Sequence, residues 1–300
     1  MCGIVGWIDY EQNLVTQRPV LESMTDTLAC RGPDDCGYWF SQHAAIGHRR
    51  LIVIDPAGGK QPMMRECGQH PFVLTYNGEL YNTAELRREL ETRGHRFRGY
   101  SDTEVVLVSY IEWGPRCLER LNGIFAFAIW DEGDKRLFLA RDRLGIKPLF
   151  YVQRGHTFLF ASELKALLAH PAVKPEVDAE GLAEIFAIGP ARTPGHGVFK
   201  DVHELLPGHY LILERSGIRQ NSYWKLVSQP HEDTLENTVE KVRTLLADAA
   251  ERQLVSDVPI STLLSGGLDS SAITAFAANA VAKRQDMPLR TYSVDYAGNE

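Results

Sequence analysis

Apolar positions in the first half of the chain fall into short blocks rather than long stripes. "GIVGWID", "AAIGHRRLIVID", "FVLTYNGELY", "GIFAFAIWD" and "RLFLARD" are rich in Ile, Val, Phe and Tyr and are bounded by Gly, Asp and Asn, which predicts strands. The run "IFAFAIWDEGDKRLFLARD" reads as a hairpin around a charged, glycine-containing turn. Helical spacing appears between the blocks, over 19–28, 84–93 and 103–113, where Val105, Val106, Leu107 and Ile111 form an apolar stripe. Hairpins with helices grouped between them predict an α+β layered domain. Residues 171–230 are punctuated by Pro, Gly and His and show no long period. They are expected to hold the last strands of this domain ("HYLILE") and then a linker.

Past this stretch the pattern changes. Leu235, Val239, Val242, Leu245, Leu246 and Ala249 recur at helical spacing, followed by "VPISTLL", "SGGLDSS", "AITAFAANAVAKR" and "RTYSVDY". Strand, glycine-rich turn, helix and strand make a βαβ unit with a parallel pair. The boundaries this predicts are a first domain over 2–215, a linker over 216–233 and a second domain over 234–300.

Composition narrows the class. A chain of 300 residues exceeds what one core usually serves, in keeping with two domains. A net charge of −7 argues against a nucleic-acid surface. No apolar run reaches membrane-span length, the stretch from Ile4 to Ile8 is too short for a signal peptide, and Gly3 stands one place too late for myristoylation. The 5 cysteines (Cys2, Cys30, Cys36, Cys67, Cys117) include no C-x-x-C pair, so neither a disulfide framework nor a zinc site is expected. These features predict a cytoplasmic enzyme without nucleic-acid or membrane partners.

Two stretches carry candidate chemistry. In "SGGLDSS", two glycines allow tight backbone at the start of a helix whose free N–H groups and dipole favour an anion. Ser265, Ser270 and Ser271 add hydroxyl donors. Asp269 would repel phosphate, so its expected partner is Mg²⁺. The string lacks the G-K-[ST] ending of a P-loop. The second stretch is "MCGIVG". If Met1 is removed, Cys2 carries a thiol and a free α-amine, with ordinary pKa values near about 8.5 and about 7.7. The amine can then take the thiol proton, giving a nucleophile with its own base. Only a cysteine at the mature N-terminus can do this.

"MCGIVG", "RGPDDCG", "GHRRLIVID", "YNGELYN", "SDTEVVL", "GIFAFAIWD" and "ARDRLGIKPLFY" occur in this order, and together they closely resemble the class II glutamine amidotransferases, N-terminal-nucleophile hydrolases with a layered αββα sandwich. "SGGLDSS" resembles the pyrophosphate loop of the N-type ATP pyrophosphatases, an α/β parallel-sheet fold. The combination resembles the glutamine-hydrolysing asparagine synthetases. The resemblance implies that Cys2 attacks the glutamine amide, with the Asn77 side chain and the Gly78 N–H as oxyanion hole. It implies that Arg50 and backbone atoms of Val53 hold the substrate α-carboxylate, and that Glu79 and Asp102 hold its ammonium. In the second domain it implies ATP on Leu264, Ser265, Gly266, Gly267, Asp269, Ser270, Ser271 and Val294, with aspartate adenylated and ammonia displacing AMP. It further implies a homodimer and a synthetase domain that continues beyond position 300. One departure is visible: Cys30 stands where the family usually has His before R-G-P-D. Two other readings stay open. One is an amidotransferase acting on another carboxylate, or a glutaminase alone. The other is a non-catalytic binding module, which would need neither a nucleophile nor an oxyanion hole.

Overall fold

Every residue of the first strand, β1 (Gly3–Asp9), is buried, so both of its faces are covered. The computed structural model describes residues 1–68, 70–189, 191–284 and 289–295. After β1 come α1 (Arg18–Asp26), β2 (Asp35–Phe40), β3 (Ala44–Arg50), β4 (Met63–Cys67), β5 (His70–Leu80), α2 (Thr83–Thr92), α3 (Asp102–Trp113), α4 (Cys117–Arg120), β6 (Gly123–Asp131) and β7 (Arg136–Arg141). They are followed by β8 (Phe150–Arg154), β9 (Thr157–Ala161), α5 (Leu164–Leu168), α6 (Ala179–Ile188), β10 (Val202–Glu204), β11 (His209–Glu214) and β12 (Gly217–Ser222).

These strands form two six-stranded sheets, ordered β10-β8-β9-β1-β3-β2 and β12-β11-β7-β6-β5-β4. Ile4, Ile8 and Ile46 of the first sheet meet Val73, Trp130 and Leu139 of the second in a shared core. The outer face of the first sheet is covered by Leu21, Met24 and Leu28 around α1 and by Ala166 and Leu167 of α5. The outer face of the second is covered by α2, α3 and α4 through Leu86, Leu90, Val105, Val108 and Leu118. The result is the layered αββα arrangement.

Four expectations need correction. The apolar stripe assigned to α3 is no stripe, because residues 102–110 are buried all round between sheet and helices. "LIVID" does not extend β3, which ends at Arg50. There the Ile52 N–H is taken by Asp34 Oδ2 at 2.8 Å, and Arg50 captures the carbonyls beyond it. The first domain also runs past residue 215. β12 pairs with β11 from His209↔Ser222 to Glu214↔Gly217, and the first compact unit spans Met1–Leu226. Helix α6 also lies inside the stretch read as having no period.

The second unit, Val227–Glu300, contains α7 (Leu235–Arg252), β13 (Ser261–Leu263), α8 (Leu268–Arg284) and β14 (Arg290–Tyr292). β13 and β14 pair in parallel, Ser261↔Arg290 to Leu263↔Tyr292, with α8 as the crossover. Tyr296 of the expected strand "RTYSVDY" lies outside the described residues. Among those residues no helix is long and apolar enough to cross a membrane.

A buried histidine ties the two sheets together. His48 Nδ1 lies 3.0 Å from Thr75 Oγ1, and burial, aided by the Arg50 charge, lowers the imidazole pKa to about 3. The unfolded chain titrates this group near pH 6.5, so it takes up a proton that the fold refuses, and stability falls as pH drops below about 6.5. Between pH 7 and pH 5 the wild type should lose about 2 kcal/mol more than His48→Gln. Urea midpoints of both proteins at the two pH values check this, and parallel losses would contradict it.

Candidate active site

Cys2 sits at the mouth of the first sheet, at the head of its β1 strand. Its Sγ accepts a hydrogen bond from the Leu51 N–H at 3.4 Å and lies 3.7 Å from the Leu51 carbonyl, to which the thiol donates. Arg31 Nε donates to the Cys2 carbonyl at 2.9 Å while its Nη1 pairs with Glu163 at 2.9 Å. The short loop after β3 and the R-G-P-D turn thus grip the residue from both sides. Burial pushes the thiol above its ordinary pKa, opposed by the hydrogen bond from Leu51. Burial also pulls the terminal amine, carried here by Met1, below its ordinary value; Cys2 opposes this, and Lys147 and Arg31 reinforce it. Both directions favour the neutral pair, a thiol beside an amine able to accept its proton.

The cavity in front of Cys2 has a volume of about 150 Å³ and is lined by Arg50, Val53, Asn77, Gly78, Glu79, Asp102 and Lys147, among others. All six glutamine-site positions expected from the sequence therefore share one cavity with Cys2. Asn77 is 1% exposed, yet its Nδ2 is buried with no hydrogen-bond partner. Such a donor is costly unless something outside the chain satisfies it. The strand is locked just before it: Gln61 Oε1 accepts the Tyr76 N–H at 2.6 Å, and Gln61 Nε2 donates to the Tyr76 carbonyl at 3.1 Å. Gly78 admits no side chain, because a Cβ there would fall 2.5 Å from the Ile124 carbonyl and 2.6 Å from the Tyr76 ring.

Charge around the cavity is arranged by side chains holding backbone. Asp102 is 7% exposed; its Oδ2 accepts from Tyr76 OH at 2.9 Å and from the Leu80 N–H at 3.2 Å. Burial pushes its carboxyl above the usual range, and the Tyr76 hydroxyl pulls it back. The cap of α3 is Ser101, accepting from the Thr103 N–H at 3.0 Å, a donor it shares with Asp102 Oδ1 at 2.8 Å. Arg50 donates through Nη1 to Pro56 (2.9 Å) and through Nη2 to Ile54 (3.1 Å) and Asp55 (2.8 Å). That leaves its Nε–H and one Nη1–H for a ligand, and makes the same residue the clasp of loop 51–59. Gly59 lets that loop close, since a Cβ there would lie 2.3 Å from Arg50 Nη2.

Arg49 pairs with Asp26 of α1, away from the cavity. Cys30 is exposed and is not among the residues lining the cavity; the residue after it, Arg31, is the one that donates to the Cys2 carbonyl. Sequence reasoning missed Arg31, Gln61, Tyr76 and Lys147 as parts of the site. Arg31, Tyr76 and Lys147 lie in quoted motifs and Gln61 in the stretch between two of them, but their contacts cross between strands and loops and leave no periodic trace.

In the second unit, loop 264–267 connects β13 to α8. The Leu264 N–H donates to Tyr292 at 2.8 Å, and Gly266 takes φ +83° with open space around it. Ser265 Oγ lies 3.0 Å from Ser270 Oγ, which in turn donates to the Gly267 carbonyl at 3.2 Å. Ser265, Gly266, Gly267, Asp269 and Ser271 are exposed at the start of the helix, and Val294 is 78% exposed just after β14.

The glutamine amidotransferase domain family matches residues 1–224, and the asparagine synthase family matches residues 241–300. A Bacillus subtilis (strain 168) protein named asparagine synthetase [glutamine-hydrolyzing] 3 is 54% identical over 300 residues, covering 100% of this chain and 49% of that protein. Asparagine synthetase B [glutamine-hydrolyzing] of Escherichia coli (strain K12) is 34% identical over 288 residues, 95% of this chain and 46% of that protein. The chain thus spans about half the length of these curated relatives. Among solved structures, the glutamine phosphoribosylpyrophosphate amidotransferase of B. subtilis matches with a TM-score of 0.54 at 20% identity, covering 97% of this chain and 65% of that one. At that identity the likeness speaks to the fold alone.

Proposed function

Because this chain belongs to the glutamine amidotransferase domain family, we propose that it hydrolyses the side-chain amide of glutamine at Cys2 and that the ammonia released serves to make asparagine from aspartate. The unpartnered Asn77 amide, buried in the cavity that Cys2 faces, carries this reading. With Met1 removed, the S–H proton passes to the α-amine while the electron pair stays on sulfur. Sulfur then bonds to the amide carbon, and the carbonyl oxygen gains charge against Asn77 Nδ2 and the Gly78 N–H. The ammonium returns its proton to the leaving nitrogen as the C–N bond breaks. Water, deprotonated by the same amine, then releases glutamate and restores the thiol. Arg50 takes the substrate α-carboxylate through its two free N–H groups, helped by Val53 backbone, while Glu79 and Asp102 take the ammonium.

The second half-reaction would use ATP and Mg²⁺. The serine-rich loop at the head of the long α8 helix, with open space at Gly266, suits a pyrophosphate. Ser265, Gly267, Ser270 and Ser271 would hold it, and Leu264 and Val294 would border the base. No group of three or more His, Cys, Asp or Glu among the described residues could cage a metal. Asp269 would offer one carboxylate to the metal, with phosphate oxygens as further ligands. Bound ATP supplies an activated carboxylate with AMP as its leaving group.

The experiment is direct. The complete protein given glutamine, aspartate and ATP should form glutamate, asparagine and AMP in equal amounts. Glutamate without asparagine, or amidation of a different carboxylate in place of aspartate, would overturn the acceptor assignment.

A further inference from the structure

Three lysine or arginine side chains are buried among the described residues: Arg50, Arg141 and Lys147. Arg50 donates to three loop carbonyls. Arg141 pairs with Glu204 at 3.0 Å and donates to Lys147, Leu205 and Gly145 carbonyls. Lys147 is 5% exposed, and its ammonium has neither an ion pair nor a hydrogen-bond acceptor among the described residues. Instead it lines the cavity beside residues 1 and 2. The carboxylates of Glu79 and Asp102 line the same cavity, and charged groups gathered in a cleft are where charge does chemical work.

The loop that delivers it is over-determined. The Asp142 carboxylate accepts the N–H groups of Leu144 (3.1 Å), Ile146 (2.9 Å) and Lys147 (2.9 Å). Arg141 Nε donates to the Lys147 carbonyl at 2.8 Å. Both flanks of the residue are therefore pinned from within the protein, and the side chain is left to face the cavity. The terminal amine, carried here by Met1, is lowered below its ordinary pKa by burial first; Cys2 and Glu79 oppose this, and the charges of Lys147 and Arg31 reinforce it. Arg31 is paired with Glu163 at 2.9 Å, which leaves Lys147 as the cation of this set with no ion pair among the described residues, in a cavity it shares with the Glu79 carboxylate.

We propose that Lys147 is a positioning residue for the amino-terminal nucleophile: its charge keeps the α-amine a free base at neutral pH, ready to take the Cys2 proton. This rests on the reading of Cys2 as the mature N-terminal nucleophile. Glutaminase kcat/KM and the rate of Cys2 alkylation by iodoacetamide, each measured from pH 5.5 to 9 in wild type, Lys147→Met and Lys147→Arg, test it. In Lys147→Met the acid limb of both profiles should move up by about one pH unit, the scale of losing one nearby charge. At pH 6.5 kcat/KM should then fall about fivefold, while at pH 9 it stays within about twofold of wild type. Lys147→Arg, which keeps the charge, should keep the wild-type limb, and it serves as the readout should Lys147→Met fail to fold. A uniform loss at every pH, or a raised KM for glutamine with an unmoved acid limb, would overturn the proposal and leave Cys2 as nucleophile intact. A wild type that releases no glutamate at all would bring down the nucleophile reading itself, and this proposal with it.

Discussion

Replacing Cys2 with Ser should lower glutamine hydrolysis by about 10⁴-fold or more, the scale seen when the nucleophile is taken from a coupled catalytic unit. Serine keeps the volume and the hydrogen-bonding pattern with Leu51, where the thiol now lies between N–H and carbonyl. The fold should therefore survive, and the loss would be chemical. A hydroxyl next to an amine whose basicity is already reduced by burial cannot surrender its proton as a thiol does. Glutamine binding should change little, because Arg50, Glu79 and Asp102 remain in the cavity. Glutamate release and a binding isotherm for glutamine, measured on the same preparation, separate the two effects. Retained turnover would remove Cys2 from the mechanism.

Asn77→Ala should cost about 10² to 10³-fold in kcat with KM for glutamine nearly unchanged, the usual cost of one lost oxyanion donor. Asn77 Nδ2 is buried and unsatisfied, so in the resting protein it has nothing to lose, and its bond forms only as charge builds on the substrate oxygen. That is the condition under which an interaction raises kcat rather than affinity. Because the residue sits in the middle of β5, paired with Ala126 of β6, alanine fits the strand and the variant should fold. A rise in KM at constant kcat would instead mark Asn77 as a substrate-binding group.

How much of this was legible in the sequence varied with the physics of each part. β1, β6 and the helix over 102–113 announce themselves because apolar density is highest where both faces are covered. "LIVID" is as apolar as a strand but is held as a loop by Arg50, Asp34 and the Cys2 sulfur, contacts that depend on residues far away in the chain. "GIRQNS" looks like linker because it is a polar edge strand, exposed except at Ile218, which packs against the inter-sheet core, and joined to the sheet by pairing with β11. Helix α6 escaped notice for a different reason: Leu182, Ile185 and Phe186 are exposed, and its sequence lies among prolines and glycines. The positions expected to bind glutamine were readable because motif order placed them. Lys147, Gln61 and Tyr76 were not, since what they do follows from loops closing across the two sheets.

The central claim is that the mature chain begins with a working cysteine. Intact mass of the purified protein, before and after a diazo-ketone analogue of glutamine, tests it most directly. The account predicts a mass lacking Met1, a gain of a single adduct, and that adduct mapped to Cys2. Retention of Met1, or an unmodified Cys2 after the reagent, would contradict it.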